Sequence, residues 1–161
     1  MLSKQCPDGQ PRSPGVPLKL KVCVMTFIGF ERQMDRIAPA ALLVMGLLKA
    51  GDHVVCSQSV FGSTIRLLAG EFGKFGVQSS FVSQTDVAQW KAALRPHTRL
   101  LFAETPSNPL TEVCDIAALA DIAHRAGALL AVDNCFATPI LQRPIEMGAD
   151  IIMHSGTKYL D

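Results

Sequence analysis

Lys158, Asp133 and the hydroxyls of Ser155 and Thr157 are residues whose types fit together chemically. A lysine amine forms Schiff bases with carbonyl compounds, and partial burial readily lowers its pKa. An aspartate can pair with a protonated pyridine nitrogen and keep the ring an electron sink. Ser155, Thr157 and the backbone N–H groups flanking Gly156 can hold a phosphate. Lysine, aspartate and hydroxyl donors are what pyridoxal 5'-phosphate (PLP) requires of a protein, so the set predicts a PLP site. Taken singly, each residue has an ordinary explanation: a solvated lysine, a turn-forming aspartate, a hydroxyl capping a turn. It is the set that carries the chemistry.

The elements that must position these residues can be read from the apolar runs before them. Thr98–Glu104 predicts a strand ending in Glu104. Ala128–Val132 predicts one ending in Asp133-Asn134, and Asp150–Met153 one ending in the run from His154 to Lys158. The last two runs do not alternate, as expected for strands buried on both faces of a parallel sheet. Upstream, His53–Ser57 and Val77–Val82 read as extended, and Thr64–Phe75 as a helix. Asp86 is placed to cap a helix over Val87–Leu94, and Asp115 one over Ile116–Ala126, with Gly127 past its end. Ala38–Lys49 reads as a buried helix stopped by Ala50-Gly51-Asp52, and Thr105–Pro109 must turn. Met1–Pro17 is rich in Pro and Gly, and Lys19–Phe30 is apolar without a clear period. Alternating strands and helices predict an α/β layered fold, in which ligands bind beyond the carboxyl ends of the strands.

Composition narrows the function further. A chain of 161 residues suits one domain. A formal net charge of +1 offers no field for nucleic acid or an anionic membrane. The five cysteines include no CxxC, which removes zinc-ribbon and thioredoxin-like sites and fits free thiols in a reducing cytoplasm. The most apolar stretch, Ile37–Leu48, is too short to span a bilayer and contains Pro39 and Gly46. A cytoplasmic protein acting on a small molecule, with no metal site, is the expectation.

Three segments resemble one enzyme family. They are Ala103–Leu110 (AETPSNPL), Val132–Pro139 (VDNCFATP) and Gly148–Leu160 (GADIIMHSGTKYL). In order and length they are similar to the Cys/Met-metabolism PLP-dependent enzymes, the cystathionine γ-synthase-like family, and the likeness runs from about Ala40 to Asp161. Ser57–Thr64, with Val132–Phe136, looks most like its O-succinylhomoserine sulfhydrylase branch. The resemblance implies a three-layer α/β fold with a mostly parallel sheet, the aspartate-aminotransferase-like (fold type I) large domain. It implies that Lys158 holds PLP and moves protons, that Asp133 pairs with the pyridine nitrogen, and that Ser155 and Thr157 bind the phosphate. Asn108 matches the residue near the ring hydroxyl, and Phe61 falls where the family stacks an aromatic ring, often Tyr, on the cofactor. The implied reaction is γ-replacement on an activated homoserine ester, O-succinylhomoserine plus sulfide giving homocysteine. Cystathionine γ-synthase and γ-lyase are the alternatives within the family. The implied partners are an amino-acid substrate and further copies of the chain, since full-length relatives are typically tetramers.

Departures from the family pattern set a further expectation. The family's Ser-Gly-Met turn is replaced by Asp35-Arg36-Ile37, where an acid would repel a phosphate. Residues 1–36 match nothing expected in the family, whereas 37–161 correspond to part of its large domain. The chain ends three residues after Lys158, so the C-terminal domain and the N-terminal arm of the family are expected to be absent. A catalytically inert fragment is therefore the reading from another class. Two chemical rivals carry less. Ser155-x-x-Lys158 follows a strand rather than opening a helix and lacks the companion motifs of serine acyl-transferases. Cys135 with His154 or His124 could form a thiol site, but Cys135 more simply fills an apolar space.

Overall fold

Strand-forming runs separated by capped helices assemble into a six-stranded sheet in the computed structural model, which describes residues 22–26, as backbone, and 46–155. The strands are β1 (Val22–Thr26), β2 (His53–Ser57), β3 (Gln78–Val82), β4 (Thr98–Glu104), β5 (Leu129–Asp133) and β6 (Ile151–Ser155). Their order is β1-β6-β5-β4-β2-β3, and every pairing is parallel. The apolar stretch around Val22, which has no period in the sequence, supplies an edge strand. It pairs with β6 from Val22 opposite Ile151 to Thr26 opposite Ser155.

The two sheet faces carry separate cores. Val54, Cys56, Leu100, Phe102, Leu129, Ala131, Ile151 and Met153 pack on one face with Leu68 and Phe72. Their strand neighbours Val55, Leu101, Ala103, Leu130 and Val132 pack on the other with Trp90, Ile116, Leu119 and Ala123. Successive strand residues point to opposite faces, so nearly unbroken apolar strands serve both cores at once. Helices cover both faces, which makes the three-layer α/β arrangement anticipated from the sequence.

On the first face, α1 (Gly62–Arg66) runs through a π-helical turn, Leu67–Glu71, into α2 (Phe72–Lys74). The single helix expected over Thr64–Phe75 is therefore interrupted over Leu67–Glu71, a turn that contains Gly70, a poor helix former. On the second face lie α3 (Val87–Ala92) and α4 (Ile116–Arg125). Asp86 accepts from the N–H groups of Ala88 and Gln89, and Asp115 accepts from Ala118, so both caps act as anticipated. Gly127 follows α4 with φ of 70°, a conformation that other residues adopt only with strain. A short helix, α5 (Thr138–Leu141), follows β5 and had no sequence signal. Of the helix expected over Ala38–Lys49, only Gly46 and Leu47 are described as helical; the rest lies outside the described residues.

Candidate functional site

Parallel register brings the strand ends level. Glu104 is paired with Asp133 across β4 and β5, and Asp133 with Met153 across β5 and β6. Counting by two from Phe102, Ala131 and Met153, which share the first core, Glu104, Asp133 and Ser155 all fall on that same face. They form a polar row at the carboxyl edge of the sheet, directly continuing the apolar rows beneath.

Hydrogen bonds link Asp133 to Ser155 through Cys135 and tie Glu104 to the loop after β2. Asp133 Oδ1 accepts from the Cys135 N–H at 3.0 Å, an Asx-type turn that orients the carboxyl group. Cys135 Sγ accepts in turn from the Ser155 N–H at 3.0 Å. At the other end, Glu104 Oε2 accepts from the Phe61 N–H at 2.7 Å, fixing the loop that leaves β2. Phe61 is the N-cap residue of α1 and its side chain makes no capping bond. Phe61, Asp133 and Ser155 are half-buried, whereas Glu104 is only 4% exposed.

The loop after β4 is tied to the same edge. Thr105 N–H donates to the Asp133 carbonyl at 3.1 Å. Ser107 N–H donates to the Glu112 carbonyl at 3.0 Å, and Ser107 Oγ accepts from the Glu112 N–H at 3.1 Å. Glu112 Oε2 accepts from Ser59 Oγ at 2.6 Å, closing the loop onto the β2–α1 connection. Asn108 lies half-buried within this loop. Asn134 and Gln142 cross-brace it: Gln142 Nε2 donates to both the Thr105 carbonyl and Asn134 Oδ1.

Thus Phe61, Asn108, Asp133 and Ser155 are carried by the carboxyl edge or the loops leaving it. Lys158 and Thr157 lie outside the described residues, as does Asp35-Arg36-Ile37. Glu104 and Cys135 join the site without having been assigned a part in it. Glu104 was visible as the polar end of an apolar strand. Cys135 was read from the sequence as filling an apolar space; its bond to Ser155, which spans twenty positions, has no signal there. His154 falls on the opposite face by alternation; burial lowers its pKa, against the opposing charge of Asp133. Burial, and then the nearby Glu104 charge, push the Cys56 thiol up. Among the described residues no group of three or more His, Cys, Asp or Glu could hold a metal ion.

This geometry can be set beside known proteins. Residues 37–161 match the model of the Cys/Met metabolism PLP-dependent enzymes. The chain belongs to that family. It is 59% identical over 119 residues to an O-succinylhomoserine sulfhydrylase of Pseudomonas aeruginosa, covering 74% of this chain and 30% of that protein. It is 45% identical over 121 residues to a cystathionine gamma-lyase of Bacillus subtilis, covering 75% of this chain and 32% of that one. A crystal structure of metB from Corynebacterium glutamicum superposes with a TM-score of 0.74 at 40% identity, covering 76% of this chain and 32% of the other. The chain thus spans about a third of the length of the relatives it matches. PLP is the cofactor of this family. The donor chemistry present fits it: a half-buried carboxylate held at a central strand end, a hydroxyl two strands' width from Glu104, and an aromatic residue on the loop above. No helix among the described residues is long and apolar enough to cross a membrane.

Proposed function

We propose that this chain carries part of the PLP site of an enzyme that replaces the γ-substituent of O-succinylhomoserine with sulfide, giving homocysteine. The observation that carries the PLP reading is the polar row on one sheet face, with Asp133 and Ser155 at neighbouring strand ends and Phe61 tethered to Glu104 between β2 and β4. The choice of ester rests on the 59% identity to an O-succinylhomoserine sulfhydrylase, against 45% for the cystathionine gamma-lyase.

When bound, PLP supplies an electron sink for carbanion chemistry at the substrate's α- and β-carbons. The residues of the chain divide the remaining work. Asp133 holds a proton on the pyridine nitrogen through a charge-assisted hydrogen bond. Ser155 and Thr157 hold the phosphate, Asn108 the ring hydroxyl, and the Phe61 ring stacks on the pyridine face. Lys158 holds the cofactor covalently and moves protons between substrate carbons as general acid and base. Phe61 has no hydroxyl, so it takes no part in proton transfer.

The proposal includes a homo-oligomer in the cytoplasm. Leu110 and Val113 on the loop after β4, and Ile140 and Leu141 on α5, expose apolar surface near this edge, which suits a subunit contact. The deciding experiment incubates purified chain with PLP, O-succinylhomoserine and sulfide and measures homocysteine, with cysteine as the competing nucleophile. Homocysteine formed faster than cystathionine supports the reading. Cystathionine as main product would favour the γ-synthase alternative, and no product with PLP bound would favour an inert fragment.

A further inference from the structure

We propose that Glu104 is a positioning residue, which holds the Phe61 ring in register with Asp133 by accepting the Phe61 backbone N–H. The inference rests on the PLP reading above and adds a residue to it. Three observations support it. Glu104 Oε2 lies 2.7 Å from Phe61 N, a short bond to a charged acceptor. Glu104 is 4% exposed, so the acceptor side of the bond is shielded from competing water. Glu104 is also the direct cross-strand neighbour of Asp133 on the same sheet face, which ties the loop to the strand carrying that residue.

The need for such a tether follows from the local chain. Residues 58–61 leave β2 and enter α1 with no side-chain cap at Phe61. Gln58 N–H is fixed to the Val82 carbonyl at 2.9 Å, and Ser59 by the bond to Glu112. Those bonds hold the start of the loop. The Glu104 bond holds its end, at the residue whose ring faces the site in the functional reading. A buried N–H left without its acceptor is costly, so the loop would shift to find another partner and carry the ring with it. Glu104 therefore acts through Phe61.

The test compares Glu104→Ala, Glu104→Gln, Phe61→Ala and the Glu104→Ala/Phe61→Ala pair in the full chain. Hydrogen exchange at the Phe61 amide is measured without cofactor, and PLP affinity by titration, with a melting curve for each variant. Glutamine keeps one acceptor oxygen, loses the charge and turns the second oxygen into an NH2 donor. The expectation is amide exchange at least about tenfold faster in Glu104→Ala, with Glu104→Gln within about threefold of wild type. PLP binding should weaken about tenfold in Glu104→Ala and stay near wild type in Glu104→Gln. Adding Glu104→Ala to Phe61→Ala should produce no further loss, because the ring it positions is gone. Unchanged Phe61 exchange in Glu104→Ala overturns the tether. Additive losses in the pair, or Glu104→Gln behaving like Glu104→Ala, overturn the positioning role. A wild-type chain that does not bind PLP overturns both the positioning role and the functional reading. A chain that binds PLP equally well with Glu104→Ala overturns the positioning role alone.

Discussion

Asp133 and Glu104 stand on adjacent strands at the same height, yet their surroundings direct them to different work. Asp133 is half-buried and receives the Cys135 N–H on one oxygen, so the chain presents its carboxyl group at the open edge. Glu104 is enclosed and accepts a backbone donor from the neighbouring loop. The sequence showed the acids at the ends of apolar strands. It could not show which one faced the opening, since that depends on the loops folding back over each. Asp133→Asn separates charge from geometry, because asparagine can still accept the Cys135 N–H through its side-chain oxygen. Losing one hydrogen bond to a charged group costs about 1.5–3 kcal/mol, so PLP affinity should fall roughly ten- to a hundredfold. Equal affinity in wild type and Asp133→Asn, measured by equilibrium titration, would remove Asp133 from the ring-nitrogen position.

At the opposite, amino edge of the sheet, His53 joins three strands. Its Nδ1 lies 2.8 Å from Thr98 Oγ1 on β4, and its Nε2 3.0 Å from Ser80 Oγ on β3. Burial, then the charges of Arg95 and His97, lower its pKa to about 4. A lowered imidazole pKa means that the fold favours the neutral ring. Its contribution is complete above the unfolded value near 6.5 and is lost as pH falls from there toward 4. The full effect is about 3 kcal/mol at one pKa unit per about 1.4 kcal/mol. Urea unfolding at pH 7 and pH 4.5 should show a larger acid loss in wild type than in His53→Gln; equal losses would contradict the ring's neutral burial. Gly148 sets a second constraint, on the turn between α5 and β6. It has φ of 106°, and a Cβ there would lie 2.9 Å from the Ala120 Cβ on α4. Gly148→Ala should cost roughly 1–3 kcal/mol in chemical denaturation; an unchanged midpoint would show that the turn relaxes freely. Elements with strong local signals were legible: β4 has its anticipated bounds, and Asp86 and Asp115 cap as anticipated. The elements that were not legible depend on distant partners. β1 is defined by pairing with β6, some 129 positions on, and α5 is only four residues long.

Across the whole molecule, the parallel sheet gathers residues from widely separated segments to one edge, which is why strand ends were where the sequence pointed to a candidate site. Phe61, Asn108, Asp133 and Ser155 come from four different loops or strand ends, and the register places Asp133 beside Glu104, with Ser155 on the next strand beyond it. Family membership gives PLP as the cofactor. Lys158 and Thr157 are assigned only through the motif they sit in, and both lie outside the described residues. The chain spans about a third of the length of its relatives, so the central question is whether the polar row suffices to hold the cofactor. The most direct measurement is a visible absorbance titration of wild type and Lys158→Ala with PLP, with a melting curve of each to establish folding. The account predicts a saturable visible band in wild type that is absent from the equally folded variant. No band in folded wild type, or an equal band in Lys158→Ala, would contradict it.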